Sequence, residues 1–437
     1  MNRAPLLSAV GAVCLGLVSP LLADSSSSYD DLVANLKSPN ARTRQEAAAA
    51  LGKSRRREAV APLSPLVRDP ELKVRVEVVR AFRELRDLAA VPALVTSLGD
   101  GDPGIRREAV ATLVEIYAEK ESVSPLEPLI RFLKLRSDEG DRATVTPFAA
   151  VDPSVYQALG KALRDEDREV RESSALALGI LGGSPALRDL KAALQDPVPD
   201  VRAAAATAIG KVGTEEDGRS LIPLLADESG DVRDRALYAL GVLRVKAAGP
   251  ELAAMYETNR KKPLGTKVLS SLSRIGDAGQ GDLFVQVIQE PDPERKRLAV
   301  EGLGRISDSG RLQPLKKDYQ RERDEAVRLA YCFALARMGD RAFLDTIVLA
   351  LPGPMGVRAQ AYLMELGPPV LPDLYPYLGD QDADIRAALS DIMGAMGDPE
   401  AIPRLSALLN DPSARVADHA NRAVERLRRS TQARNAQ

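Results

Sequence analysis

Residues 196–210 read Asp196-Pro197-Val198-Pro199-Asp200-Val201-Arg202-Ala203-Ala204-Ala205-Ala206-Thr207-Ala208-Ile209-Gly210. Val201, Ala204, Ala205, Ala208 and Ile209 fall at the spacing of one helical face. The Asp-Pro pair reads as a helix start: an Asp side chain accepts from the free amides of the first turn, and proline needs no amide there. Gly210 reads as the helix end, because glycine takes the left-handed cap conformation without a Cβ clash. The same pattern returns on both sides, as EVRESSALALG ending at Gly179 and DVRDRALYALG ending at Gly241.

Working outward with the arginine of this pattern as anchor gives Arg44, Arg75, Arg106, Arg171, Arg202 and Arg233, then Val268, Lys296, Arg328, Arg358, Arg386 and Ala417. Neighbouring anchors lie 28 to 35 residues apart, except for one interval of 65. Glycine stands eight residues past the anchor at Gly52, Gly179, Gly210, Gly241, Gly304 and Gly394. Each unit continues into a second, leucine-rich helix, as in Ser184 to Leu194 or Asp398 to Leu409. A two-helix unit of this size with apolar stripes on both helices cannot bury them alone, whereas stacked units bury them between neighbours.

At this point the chain resembles the HEAT repeat family, in the bacterial type shared with phycobilin lyases, through its D-x-x-x-x-V-R-x-x-A-A-x-A-L-G pattern. The resemblance implies an all-α fold, an α-α superhelix of HEAT/armadillo type with about twelve helical hairpins over residues 30–429. It also implies a role for the aspartates six residues before the anchors: Asp69, Asp100, Asp165, Asp196, Asp227, Asp380 and Asp411, with Glu290 and Glu322 in two other units. In HEAT proteins such pairs form a ladder between repeats. The function implied is a noncatalytic scaffold that binds a partner protein or peptide along a concave face. The lyase relatives leave a second reading, a tetrapyrrole (bilin) lyase-like or ligand-carrying protein.

Composition narrows the chemistry. Lys+Arg number 60 and Asp+Glu 62, there is one histidine, there are two cysteines and no tryptophan, and aromatics make up 4%. A nucleic-acid binder shows a basic excess and stacking aromatics, so none is expected here. One histidine and two cysteines exclude a His-rich or Cys₄ zinc site and a disulfide scaffold. The expectation is therefore no catalytic residue, no cofactor and no metal; the partner-binding residues stay unknown at this level.

Residues 1–23 (MNRAPLLSAVGAVCLGLVSPLLA) carry one charge, Arg3, ahead of an uncharged stretch. This is the layout of a secretory signal cut after Ala23, which places the mature chain in the periplasm or outside the cell. The alternative is an uncleaved anchor over residues 4–23, holding a structural module of an envelope assembly. Residues 24–29 read as a short linker and 430–437 as a disordered tail. Between Arg106 and Arg171, residues 137–152 read as an irregular insert lying where a first helix is missing; helices are expected at 124–136 and 153–164.

A few places could carry chemistry. Asp380-Gln381-Asp382-Ala383-Asp384 has alternating carboxylates, but Ile385 and Asp391 stand where a calcium loop needs Gly and Glu. Lys53 to Arg57 reads as a solvated turn, His419 as a surface or capping residue, and Tyr375 and Tyr377 as core with hydroxyls reaching solvent. Tyr256 to Leu264 lacks both Asp and anchor and reads as a bend or a small basic patch. Cys332 lies on an apolar helix face and reads as buried and inert.

Overall fold

The computed structural model describes residues 28–117 and 150–435, and every regular element among them is helical. The signal segment and most of the 137–152 insert lie outside the described residues, as does the helix expected at 124–136. Twelve first helices carry the anchors. They are α1 (Ala41–Lys53), α2 (Leu72–Leu85), α3 (Pro103–Tyr117), α4 (Arg168–Leu181), α5 (Pro199–Val212) and α6 (Gly230–Val242). There follow α7 (Pro263–Ile275), α8 (Pro293–Ile306), α9 (Glu325–Arg337), α10 (Gly356–Leu366), α11 (Ala383–Met396) and α12 (Ala414–Asn435). The last runs past residue 429, through most of the segment read as a disordered tail. Two compact units divide after Thr112.

The residue before the anchor points into the core. Val74, Ile105, Val170, Val201, Val232, Val327, Ile385 and Val416 are all at most 3% exposed. Second helices are shorter and enter through a 3-10 turn, as in Ser184–Ala186 before Leu187–Ala193, or Ala278–Gln280 before Gly281–Ile288. The turn is often opened by an aspartate that accepts from the amide two residues on: Asp87, Asp277, Asp308 and Asp398 do so.

Two local readings need correction. The Asp-Pro aspartates are not the caps of the first helices. Caps stand two residues later, where Asn40, Asp167, Asp292 and Asp382 accept from first-turn amides. The repeated glycine is not a helix end either. Gly52, Gly179, Gly210, Gly304 and Gly394 lie inside their helices, against the next first helix. A Cβ on Gly52 would stand 2.7 Å from Ala81 Cα, and one on Gly210 would stand 2.8 Å from Ala239 Cβ. The glycine is there because two backbones meet, and alanine faces it from the next unit. Left-handed residues come about three positions later and include Gly182 and Gly397, but also Arg55, Arg86 and Arg244.

Helix α10 departs from the pattern. Val357 occupies the place before the anchor Arg358, yet it is 69% exposed. The helix buries Ala359, Tyr362, Leu363 and Leu366 instead, a face rotated from the one the Val-Arg pair indicates. A Pro-Gly-Pro sequence at 352–354 precedes it and Gly367-Pro368-Pro369 follows. Both flanks set the helix ends independently of the repeat frame.

Candidate functional site

Within each compact unit, anchors pair with aspartates of the next hairpin. Arg171 Nε and Nη2 donate to the two carboxylate oxygens of Asp196 at 2.7 and 3.1 Å. Its Nη1 donates back to the Asp165 carbonyl, six residues upstream, at 2.9 Å. Asp196 also accepts from the Val198 amide. The six-residue offset is thus a backbone contact, and the carboxylate belongs to the arginine of the preceding unit. Arg44–Asp69, Arg75–Asp100, Arg202–Asp227 and Arg386–Asp411 repeat this arrangement, with Lys296–Glu322 as a variant. Planar guanidinium suits the two-oxygen grip, which lysine cannot make.

Where the pattern lacks an anchor, the edge is mended by another residue. Val268 cannot donate, and Arg260 from the irregular stretch 256–264 supplies the bond to Glu290 at 2.6 Å. Tyr256, buried, donates its hydroxyl to the same carboxylate. The basic patch read there is thus partly consumed by the ladder, leaving Lys261 and Lys262 exposed.

Burial pushes the carboxyls of Asp69 and Asp196 up, but the bonds from Arg44 and Arg171 outweigh it, and both titrate below the ordinary range. At Asp227 and Asp411 the arginine bonds are the largest influence and lower them outright. Asp217 is held at about 2 by the Lys191 ammonium and by the Thr214 amide and hydroxyl. Carboxyls with lowered folded-state values add stability above their unfolded value, near pH 4, and lose it as pH falls through the folded values. Melting temperature is therefore expected to stay level from pH 7 to about 5 and to fall steeply below about pH 4. A melt series that is flat down to pH 2.5 would contradict this.

The other predicted positions are spent on local structure. Asp380 accepts from the Asp382 amide, Asp382 caps α11, and Asp384 pairs with Arg415 at 2.5 Å, so the three carboxylates do not converge. Among the described residues no group of three or more His, Cys, Asp or Glu is placed to hold a metal. Arg55 sits in the left-handed region, Arg56 lies over the Tyr29 ring at 5.3 Å, and Arg57 pairs with Asp87. His419 Nδ1 stands 2.7 Å from Asp391, joining α12 to α11. Tyr375 and Tyr377 are half-buried; the Tyr377 hydroxyl goes to Asp345 rather than to solvent, and burial with that bond pushes it up to about 12. Cys332 is fully buried, and burial raises its thiol.

One cluster escaped the sequence reading. Glu301, 6% exposed, receives Arg297 at 2.5 Å, the Tyr362 hydroxyl at 2.6 Å and Arg305 at 3.4 Å. Arg305 grips both oxygens of Glu365 at 2.9 Å. Burial alone would raise both carboxyls; the arginines, Arg305 first, bring them below the ordinary range. Glu301 and Glu365 are 64 residues apart, and no local pattern links them.

Exposed charges lie on both sets of helices: Lys73, Arg80, Glu84, Asp200, Asp231, Lys267 and Glu294 on first helices, and Arg188, Glu216, Glu251, Asp282 and Lys317 on second helices. Second helices expose short or uncharged side chains between scattered charges, among them Ala192, Gln195, Pro223, Val285, Gln286, Gln313, Pro314 and Leu349. Two shallow concavities, of about 440 and 380 Å³, open where second helices end. They match position for position: Arg68, Asp69, Arg75, Thr96 and Gly99 in one, Arg164, Asp165, Arg171, Ala192 and Gln195 in the other. The recurring hollow is a product of the repeat and is bordered by ladder pairs.

The family model described as HEAT repeats matches residues 29–113, 60–146, 126–210, 156–241 and 357–425. No curated protein matches the chain. Among solved structures, an engineered protein is 18% identical with a TM-score of 0.36, over 92% of this chain and 98% of that one. The Escherichia coli protein YibA is 17% identical with a TM-score of 0.40, over 62% and 91%. Kap95p, from a structural study of its binding to RanGDP, is 16% identical with a TM-score of 0.48, over 92% and 57%.

Proposed function

As the chain belongs to the HEAT repeat family, we propose that it is a noncatalytic, exported scaffold that binds a partner protein or peptide along the exposed face of its second helices. A HEAT-repeat scaffold suits protein binding, because each stacked unit adds one more helix to a long surface. The observation that carries the reading is the set of uncharged side chains that successive second helices leave exposed, among them Ala192, Val285, Gln286, Gln313 and Leu349, which are cheap to desolvate. The noncatalytic part rests on how the buried ionisable groups are used: the ladder carboxylates and Glu301 and Glu365 are committed to arginines. Export rests on residues 1–23 alone.

The test is capture from the source organism's envelope fraction by the tagged chain. One partner is expected, retained by a first-helix variant (Asp200→Ser with Asp231→Ser) and lost by a second-helix variant (Gln286→Glu with Gln313→Glu and Ala192→Glu). Intact mass of the envelope-derived protein is expected to show cleavage after Ala23. Equal retention by both variants would remove the face assignment, and a full-length mass would favour the anchored alternative.

A further inference from the structure

Ladder pairs such as Arg171–Asp196 join residues 25 apart, so they tie each hairpin only to the next. Glu365 does something different. Its Oε1 receives Arg244, 121 residues upstream, at 2.9 Å, and Arg305, 60 residues upstream, at 2.9 Å. Its backbone carbonyl accepts from Arg337 at 2.9 Å. Arg305 reaches on to the Ser273 hydroxyl at 2.9 Å and lies over the Phe333 ring, which stacks on Tyr362. Residues from α7, α8, α9 and the turn after α6 therefore meet at the end of α10.

Packed helices stand roughly 8–10 Å apart, so hairpins four places apart in a straight stack would be separated by about 40 Å. An ion pair between Arg244 and Glu365 requires this stretch to bend sharply toward the edge where first helices end. The opposite edge yields at the same place. No carboxylate follows Arg328 by 25 residues, since position 353 is glycine, and Arg328 turns instead to the Tyr319 hydroxyl at 2.9 Å. Leu349 and Val357, 60% and 69% exposed, mark that edge as uncovered. The brace thus passes from the ladder edge to the opposite edge at α10, whose two ends are set by Pro-Gly-Pro and Gly-Pro-Pro.

We infer that Glu365 is a staple that sets the bend of the array between α6 and α10, and that releasing it opens this stretch while each hairpin stays folded. The inference stands on geometry within one unit and is independent of the partner proposed above. It also assigns a function to Arg244, a left-handed residue whose side chain is 48% exposed and reaches no nearer carboxylate.

The experiment is pulsed electron resonance on the full chain with spin labels at Val242→Cys and Ala361→Cys. Cys14→Ser is added, and Cys332, fully buried, is left in place. A single narrow distance is expected with the staple intact. Glu365→Gln is expected to lengthen the mean by about 5 Å, half of one interhelix spacing, and to broaden it. Arg244→Gln, which leaves the Arg305 grip untouched, is expected to give a smaller shift in the same direction, with unchanged helical circular dichroism in both. A shift in Glu365→Gln alone assigns the staple to Arg305. Unchanged distances in both folded variants overturn the inference. Should Glu365→Gln fail to fold, Arg244→Gln decides alone, and an unchanged distance overturns it.

Discussion

Gly304→Val is expected to cost about 3 kcal/mol of unfolding free energy, the upper end of overpacking effects. A Cβ at residue 304 would lie 2.7 Å from Ala334 Cα and 2.9 Å from its Cβ, with the Phe333 ring at 3.3 Å. The first two are parts of a helix and cannot rotate away, so α8 and α9 must separate along the seam that stacks their units. Separation also withdraws Arg305 from the Phe333 ring, which lies 5.5 Å from its guanidinium. Urea unfolding of the full chain checks the cost. Gly101→Ala is the control, because nothing lies within 4 Å of a Cβ there. A loss at Gly304 under about 1 kcal/mol would mean that the helices are not in backbone contact.

Asp196→Ala is expected to cost about 2–3 kcal/mol. The pair is nearly closed to solvent, with Arg171 12% and Asp196 8% exposed at the side chain. Truncation leaves the guanidinium without its two-oxygen acceptor and the Val198 amide without a bond. Arg171→Ala is expected to cost a similar amount, and the double variant less than the sum, with a coupling above about 1 kcal/mol. The comparison pair is Arg42–Glu46, one turn apart on α1 with side chains 84% and 65% exposed, where removal of Glu46 should have no measurable effect. Additive losses at 171 and 196 would show that the ladder contributes nothing as a pair.

The repeat was readable because its determinants are local and recur. The apolar residue before the anchor, the aspartate six residues before it and the glycine eight residues after it are visible together in the units of Arg171, Arg202, Arg233 and Arg386. What they do is not local. A glycine that ends a helix and a glycine that meets another backbone leave the same mark, an apolar run followed by Gly. Gly210 was read as a cap because the alanine opposite, Ala239, belongs to the next unit. Asp196 reads locally as a helix start, and its place in the ladder came only with the family resemblance, because its arginine sits 25 residues upstream. In α10 the Val357-Arg358 pair imitates the anchor, while the flanking prolines turn the helix so that Ala359 is buried instead. Glu365 carries no mark at all, since the residues that give it meaning lie 28, 60 and 121 positions away.

Binding along the second helices remains the claim with most consequences, and a photo-reactive side chain tests it residue by residue. Benzoylphenylalanine would be placed singly at Ala192, Gln286 and Gln313 on second helices, and at Asp200, Asp231 and Glu294 on first helices, all of them exposed. After irradiation in the source organism, the expected result is one adduct of constant added mass from the second-helix positions and none from the first-helix positions. Adducts from the first-helix positions alone would contradict the account.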